Sequence, residues 1–121
     1  MNILYVEDNY INRLVVQKVL QPMGDVKMAR TGPEAIEMAS LHSFDIILID
    51  INLNDPEMDG IDVMEIVKKN PLQKDSSYVA LTAYTGEDWK VKCMEAGFDS
   101  FYSKPIIPDE LVKLINGLAN H

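Results

Sequence analysis

The sequence predicts an α/β fold, in which a doubly wound, five-stranded parallel sheet lies between two layers of helices as a three-layer α/β/α sandwich. Two observations predict it. Short apolar runs alternate with amphipathic stretches five times along the chain, and strands that alternate with helices in this way form parallel sheets whose right-handed crossovers cover both faces. The length of 121 residues is that of one domain, so residues 1–121 are interpreted as a single domain.

The individual elements follow from local signals. The run 3–6 is apolar throughout, which is typical of a strand buried on both faces, and the helix predicted over 11–23 stops at Gly24. A capping-box pattern from Thr31 to Glu34 opens the second helix. The other predicted strands cover residues 26–29, 44–49, 78–81 and 101–102, and the other predicted helices cover 35–41, 61–67, 87–96 and 109–118.

Composition and charge exclude several classes of protein. Apolar residues make up 47% of the chain, which indicates a folded globule rather than a disordered segment. The net charge of −8 argues against a nucleic-acid surface, which needs clustered positive charge. The single cysteine, Cys93, excludes an internal disulfide and a cysteine zinc site. No apolar run approaches a membrane span and no signal peptide is evident, so no membrane association and a cytoplasmic location are expected.

Polar side chains follow four of the predicted strands. Glu7 and Asp8 follow the first strand, Asp50 the third, Thr82 the fourth and Lys104 the fifth. In the flavodoxin-like strand order 2-1-3-4-5, the first and third strands are neighbours, and ligands bind beyond the carboxyl ends of such strands. Three carboxylates would crowd together there, and this arrangement needs a cation, because like charges at short range disfavour ionisation.

The same strand ends suit phosphate chemistry. Carboxylate oxygens with open coordination positions favour Mg²⁺, which keeps waters and also binds phosphate oxygens. The Thr82 hydroxyl and the Lys104 ammonium are groups that hold a phosphoryl anion. A carboxylate such as Asp50 can act as a nucleophile and become an aspartyl phosphate.

With these residues in place, the sequence resembles a receiver domain of two-component response regulators over essentially its whole length. No single motif is specific, but five occur in the family's order on the expected elements. They are Glu7-Asp8-Asn9, Asp50, Pro56-Glu57-Met58-Asp59-Gly60, Thr82-Ala83 and Lys104-Pro105.

The resemblance implies a role for each matching residue. Asp50 would accept a phosphoryl group from a phosphohistidine on a histidine kinase or histidine phosphotransfer protein. Asp8 and Asp50 would ligate Mg²⁺, or Mn²⁺ in its place, with help from Glu7 through a water and from the backbone carbonyl of Asn52. Thr82 would move toward a phosphoryl oxygen.

Other expectations also come from the family. Lys104 would pair with the phosphoryl group, and the bond between Lys104 and Pro105 is expected to be cis, a form that X-Pro bonds adopt at modest cost. The segment between Asp50 and Pro56 is longer than is usual in the family. Phe101 stands at the family's mobile switch aromatic and lacks a hydroxyl, and Tyr84 is expected to overhang the site.

A partner surface is predicted on the first helix, where apolar positions cover more than a core-facing stripe. One interpretation places Ile11, Val15 and Val19 against the sheet and turns Val16 and Leu20 toward solvent. Because family receivers use this helix to meet a histidine-bearing helix pair, the predicted contacts are Arg13, Val16 and Leu20. The alternative buries both apolar residues. A downstream protein target is expected at the face from helix four to helix five.

Several functions stay open at this point. The chain is either a stand-alone response regulator with no output domain or the receiver of a hybrid sensor histidine kinase, and kinase activity is expected only in the second case. Apart from its own phosphorylation and dephosphorylation, it is not expected to be an enzyme. The alternatives are a receiver-shaped interaction module that is never phosphorylated and an aspartate-nucleophile phosphatase, although Asn52 replaces the second acid of such enzymes. A flavodoxin-type flavin carrier is disfavoured, because Glu7 and Asp8 would repel its phosphate.

Overall fold

A computed structural model describes residues 1–83 and 86–119 and confirms the predicted fold class. Five parallel strands form one sheet in the order 2-1-3-4-5. The strands are β1 (Asn2–Val6), β2 (Asp25–Ala29), β3 (Ile46–Asp50), β4 (Ser77–Thr82) and β5 (Ser100–Ser103). The helices are α1 (Tyr10–Leu20), α2 (Gly32–Leu41), α3 (Gly60–Lys68), α4 (Glu87–Ala96) and α5 (Pro108–Ala119). Tyr84, expected to overhang the site, lies outside the described residues.

The central strands divide the core into two layers. Side chains alternate across each strand, so Leu4 and Ile47 belong to a cluster covered by α2, α3 and α4, whereas Tyr5 and Leu48 belong to a cluster covered by α1 and α5. All five residues of β3 are buried, as its uninterrupted apolar run predicts. Among the helices that the structure describes, none has the length and apolarity needed to cross a bilayer.

Helix α1 lies with a different face on the sheet from the one predicted. Val16 and Leu20 are fully buried, whereas Ile11 is 62% and Val15 is 44% exposed. The prediction that Val16 and Leu20 face solvent and contact a partner is therefore wrong, and the alternative that buries both is confirmed. Apolar positions occupy so much of this helix that periodicity alone could not select the buried arc. The side chain of Asn9 caps the start of the helix by accepting from the Asn12 backbone N–H.

A buried glutamine joins α2 to the beginning of β3. Gln73 is 1% exposed, and its side-chain amide donates to the backbone carbonyls of Ala39 and His42. Its side-chain oxygen accepts from the backbone N–H of Phe44 and the hydroxyl of Ser76. Because every polar atom of this side chain has a partner, its burial is tolerated.

Candidate functional site

Strand register brings the acidic residues together. Tyr5 pairs with Leu48 and Val6 with Ile49, so the next step along the ladder places Glu7 beside Asp50. Oxygen atoms of Glu7, Asp8 and Asp50 lie within 4.8 Å of one another. The three carboxylates predicted from the strand ends therefore form one cluster at the carboxyl edge of the sheet.

Lys104 enters this cluster from the end of β5. Its ammonium donates to Asp50 Oδ2 and to Glu7 Oε1, both at 2.9 Å. The backbone N–H of Lys104 donates to the carbonyl of Thr82, which fixes the start of the following loop. The peptide bond between Lys104 and Pro105 is cis, as expected. Thus a residue distant in sequence supplies the positive charge that two neighbouring carboxylates share.

The two oxygens of Glu7 have different surroundings. Oε1 accepts from the Tyr5 hydroxyl at 3.0 Å, from Asn12 Nδ2 at 3.1 Å and from Lys104 Nζ at 2.9 Å. Oε2 is buried and has no hydrogen-bond partner among the residues that the structure describes. A buried carboxylate oxygen without a donor is costly, so this atom is available to a cation.

Burial and charge shift the pKa values of this pocket. Burial raises the pKa of Glu7 above its ordinary value, and the neighbouring Asp50 carboxylate adds to the rise, although Lys104 opposes it. Burial alone would lower the pKa of Lys104, but hydrogen bonds and attraction from Asp50 and Glu7 outweigh it and raise that pKa. The pocket therefore favours the charged form of Lys104 and disfavours the ionised form of Glu7.

The loop between β3 and α3 donates to the other two carboxylates. The backbone N–H of Asn52 donates to Asp50 Oδ1 at 2.9 Å, and the backbone N–H of Asn54 donates to Asp8 Oδ2 at 3.1 Å. Ile51 and Leu53 alternate with these two asparagines and are buried in the core. The lengthened segment therefore folds back over the acidic cluster instead of projecting into solvent.

The start of α3 packs directly against the end of β3. Asp59 and Asp62 form a reciprocal capping box. A Cβ atom added to Gly60 would lie 2.4 Å from the backbone oxygen of Asp50 and 2.7 Å from Cα of Ile51. Only glycine permits this approach, which explains why the motif ends in Gly60.

Comparison with known protein families shows the family to which this chain belongs. The family model of the response regulator receiver domain matches residues 3–116. The chain belongs to the response regulator receiver family.

Curated relatives of this receiver domain include large sensor kinases. The aerobic respiration control sensor protein ArcB of Escherichia coli K12 is 38% identical over 117 residues, which are 95% of this chain and 15% of that protein. The hybrid signal transduction histidine kinase B of Dictyostelium discoideum is 37% identical over 98% of this chain and 7% of its own length. The chain thus spans only a small part of each relative.

Solved receiver structures superpose closely on this one. The chemotaxis protein CheY4 of Vibrio cholerae has a TM-score of 0.88 with 29% identity, and 97% of each chain is covered. The receiver domain of a sensor histidine kinase from Pseudomonas aeruginosa PAO1 has a TM-score of 0.87 with 27% identity, over 99% of this chain and 98% of that chain. That structure holds a magnesium ion in its active site cleft.

The donor set of this receiver domain fits a divalent cation. Three carboxylates face one ammonium, so the cluster carries excess negative charge when all three are ionised. Glu7 also presents the buried oxygen that has no protein donor. Hard oxygen ligands of this kind favour Mg²⁺ over softer metals.

The remaining predicted residues surround the cluster or support it. Thr82 ends β4 and is fully buried, one residue beyond the Leu81 that pairs with Asp50. Phe101 is half-buried on β5 and packs against the larger core cluster. Arg13, predicted as a partner contact, is half-buried, and its guanidinium donates to the backbone carbonyl of Glu7 at 2.8 Å. This bond braces the loop that carries the acidic pair.

The sequence did not indicate three residues of this site. Tyr5 shares a strand face with Glu7 because side chains two apart point the same way, and that periodicity could have suggested the contact. Asn12 lies five residues after Glu7, and no local rule pairs them. The backbone donor of Asn54 depends on how the loop folds and has no sequence signal.

Proposed function

We propose that Asp50 is the phosphoacceptor of this receiver domain and takes a phosphoryl group from a phosphohistidine on a histidine kinase or histidine phosphotransfer protein. The observation that carries the proposal is the position of the Asp50 carboxylate. It lies at the carboxyl end of β3, within 4.8 Å of two further carboxylates, and it accepts from Lys104. The carboxylate is thus both oriented and partly neutralised before a donor arrives.

In the proposed transfer, a carboxylate oxygen of Asp50 forms a bond to phosphorus as the bond from phosphorus to the donor imidazole nitrogen breaks. The imidazole keeps the electron pair of that bond. Such transfers depend mainly on positioning and charge neutralisation. Lys104 would pair with a phosphoryl oxygen, and the hydroxyl of Thr82 would donate to another.

We propose that Asp8, Asp50, Glu7 and the backbone carbonyl of Asn52 hold the ion, which is Mg²⁺ or Mn²⁺ in its place. When bound, the ion supplies positive charge to the phosphoryl oxygens. The unpartnered Glu7 oxygen and the magnesium in the related Pseudomonas receiver support this assignment.

We also propose a corrected surface for the phosphohistidine donor. Exposed apolar side chains on α1, namely Tyr10, Ile11, Leu14 and Val15, take the place of Val16 and Leu20. Val15 also lines a cleft of about 430 Å³ whose other walls include Lys104 and Ile106. An apolar strip that borders the acceptor pocket suits a helical partner, and such strips mark interaction sites.

The wider setting follows from the relatives. Because they are sensor kinases of which this chain matches only a small part, we propose that it serves as a phosphorelay receiver, in a hybrid kinase or as a separate regulator in the cytoplasm. Its output would be a change in the surface around Phe101 as Thr82 moves, read by a downstream protein. The kinase reaction itself would reside in other segments or proteins.

A phosphorylation assay tests the proposal. The chain is incubated with a small phosphodonor in Mg²⁺ or in EDTA, and its intact mass is measured. We expect one phosphoryl group per chain in Mg²⁺, none in EDTA, sensitivity to hydroxylamine and no labelling of Asp50→Asn. Asp45→Asn is the matched control, since Asp45 lies at the opposite end of β3. No labelling would favour an unphosphorylated module, and continuous turnover of a phosphate ester would favour a phosphatase.

A further inference from the structure

We propose that the Tyr5 hydroxyl is a positioning group of the acidic pocket, which is formed by Glu7, Asp8, Asp50 and Lys104. This hydroxyl holds Glu7 so that Oε1 faces protein donors and Oε2 would be left for a cation. The inference rests on the proposed Mg²⁺ role of the cluster and deepens it. It concerns a residue that lies in the core of the sheet and outside the motifs that mark the family in this sequence.

Tyr5 is held rigidly enough to orient another side chain. It is fully buried on β1 and belongs to the core cluster that contains Val16 and Leu20 of α1. Two residues along the strand, Glu7 points to the same face, and the Tyr5 hydroxyl donates to its Oε1 at 3.0 Å. A packed aromatic ring has few accessible rotamers, so its hydroxyl is a fixed donor.

The hydrogen bonds of Glu7 are divided unequally between its oxygens. Oε1 accepts from three donors, Tyr5, Asn12 and Lys104. Oε2 has no donor among the described residues, although the side chain is only 1% exposed. A carboxylate free to rotate would share its donors between both oxygens. The three donors to Oε1 therefore leave Oε2 uncommitted, on a carboxylate that lies in one cluster with Asp8 and Asp50.

Tyr5 and Lys104 also differ in the acidic side chains to which they donate. Lys104 is shared with Asp50, and in the proposed reaction it pairs with the phosphoryl group. Among the described residues, the Tyr5 hydroxyl and the Asn12 amide donate to Glu7 and to no other acidic side chain of the cluster. They can hold Glu7 in the same orientation before and after Asp50 is modified.

Tyr5→Phe tests the hydroxyl while it preserves the ring. Tyr78→Phe is the matched control, because Tyr78 is equally buried on β4 and its hydroxyl donates to the backbone carbonyl of Gln73, far from the pocket. Mg²⁺ affinity of each chain is measured by calorimetric titration, and thermal unfolding is followed in EDTA. Asn12→Ala, on the half-buried side of α1, removes a second Oε1 donor and serves if Tyr5→Phe folds poorly.

We expect Tyr5→Phe to bind Mg²⁺ about tenfold more weakly, as is typical when a group that orients a metal ligand is removed, and Tyr78→Phe to match the unmodified chain. Asn12→Ala should weaken binding in the same direction. Saturating Mg²⁺ should restore the phosphorylation rate of Tyr5→Phe, and cooperative thermal unfolding of this variant in EDTA separates weaker Mg²⁺ binding from a general loss of structure. Unchanged Mg²⁺ affinity in a folded Tyr5→Phe chain, or in Asn12→Ala where Tyr5→Phe folds poorly, overturns the inference alone. Absence of Mg²⁺ binding by the unmodified chain overturns the proposed function and this inference with it.

Discussion

Lys104 Nζ lies 2.9 Å from Asp50 Oδ2, and the same ammonium lies 2.9 Å from Glu7 Oε1. Its side chain is 17% exposed and those of the two acids are 5% and 1% exposed. This lysine therefore stabilises the metal-free pocket, because its ammonium neutralises part of the negative charge of the carboxylates that a divalent ion would otherwise neutralise. Its release toward a phosphoryl group would couple phosphorylation to the loop after β5.

Replacement of this lysine should destabilise the protein in a manner that Mg²⁺ reverses. Lys104→Met leaves two buried carboxylates without their cation, and we expect the free energy of unfolding in EDTA to fall by about 3 kcal/mol. Urea denaturation in EDTA and in Mg²⁺ measures this. Mg²⁺ should stabilise Lys104→Met more than the unmodified chain, because no ammonium competes with it. Lys113→Met, at an exposed position of α5, is the control. Equal stabilisation of Lys104→Met and of the unmodified chain by Mg²⁺ would contradict competition between the Lys104 ammonium and the ion.

Neutralisation of Glu7 should stabilise the metal-free protein at neutral pH. Because the folded-state pKa of Glu7 is raised above its ordinary 4.5, the folded state binds its proton more tightly than the unfolded state does. Its contribution to stability is therefore present below about pH 4.5 and is lost as pH rises through the folded pKa. Glu7→Gln does not titrate, so it should exceed the unmodified chain in stability at pH 7 in EDTA.

The measurement is the difference in unfolding free energy between the two chains across pH. The difference should shrink as pH falls, because the unmodified Glu7 then takes up its proton. Glu37→Gln, at an exposed position of α2, should show no such trend. A Glu7→Gln chain that is less stable at pH 7 in EDTA would show that ionised Glu7 is net stabilising through Lys104.

Substitution on the buried face of α1 should destabilise the protein, whereas substitution on its exposed face should leave stability almost unchanged. Leu20→Ala removes a fully buried side chain and should cost about 3 kcal/mol, whereas Ile11→Ala should change stability by less than about 0.5 kcal/mol. Chemical denaturation measures both. Ile11→Glu should slow transfer from a phosphohistidine donor but leave labelling by a small phosphodonor unchanged. If Ile11→Glu slows both reactions alike, the exposed strip is not a docking surface.

Burial of Gln73 leads to a prediction about the fold itself. Gln73→Ala would remove the acceptor of the Phe44 backbone N–H and one of the two side-chain donors to the carbonyl of Ala39, and unsatisfied buried groups are costly. We expect a loss of about 3 kcal/mol in unfolding free energy, whereas Gln17→Ala, at an exposed position, should have little effect. A comparable effect at both positions would argue against the bridging role.

The sequence predicted the features that depend on strand order and strand ends. Parallel strands share one carboxyl edge, so residues after β1, β3 and β5 had to meet, and Glu7, Asp50 and Lys104 do. It also predicted the cis bond before Pro105 from the resemblance. These features need only topology and local motifs, and both are encoded in short stretches of chain.

Other features depended on packing that no short stretch encodes. The face of α1 on the sheet depends on how the helix packs into one core cluster with the sheet and α5, which the apolar pattern left ambiguous, and so Val16 and Leu20 were placed wrongly. The Asn54 N–H reaches Asp8 only because Ile51 and Leu53 anchor the loop in the core. Glutamine side chains are mostly exposed in proteins, so the burial of Gln73 could not be predicted before its hydrogen-bond partners were known.

The most direct test of the central claim is to locate the phosphoryl group on the chain. After incubation with a phosphodonor and Mg²⁺, borohydride reduction converts an aspartyl phosphate to homoserine, and peptide mass spectrometry identifies the position. We expect homoserine at residue 50 alone, and none when Mg²⁺ is withheld. Homoserine at Asp8 or Asp55 instead, or a chain that stays unmodified in Mg²⁺, would contradict the assignment of Asp50 as the acceptor.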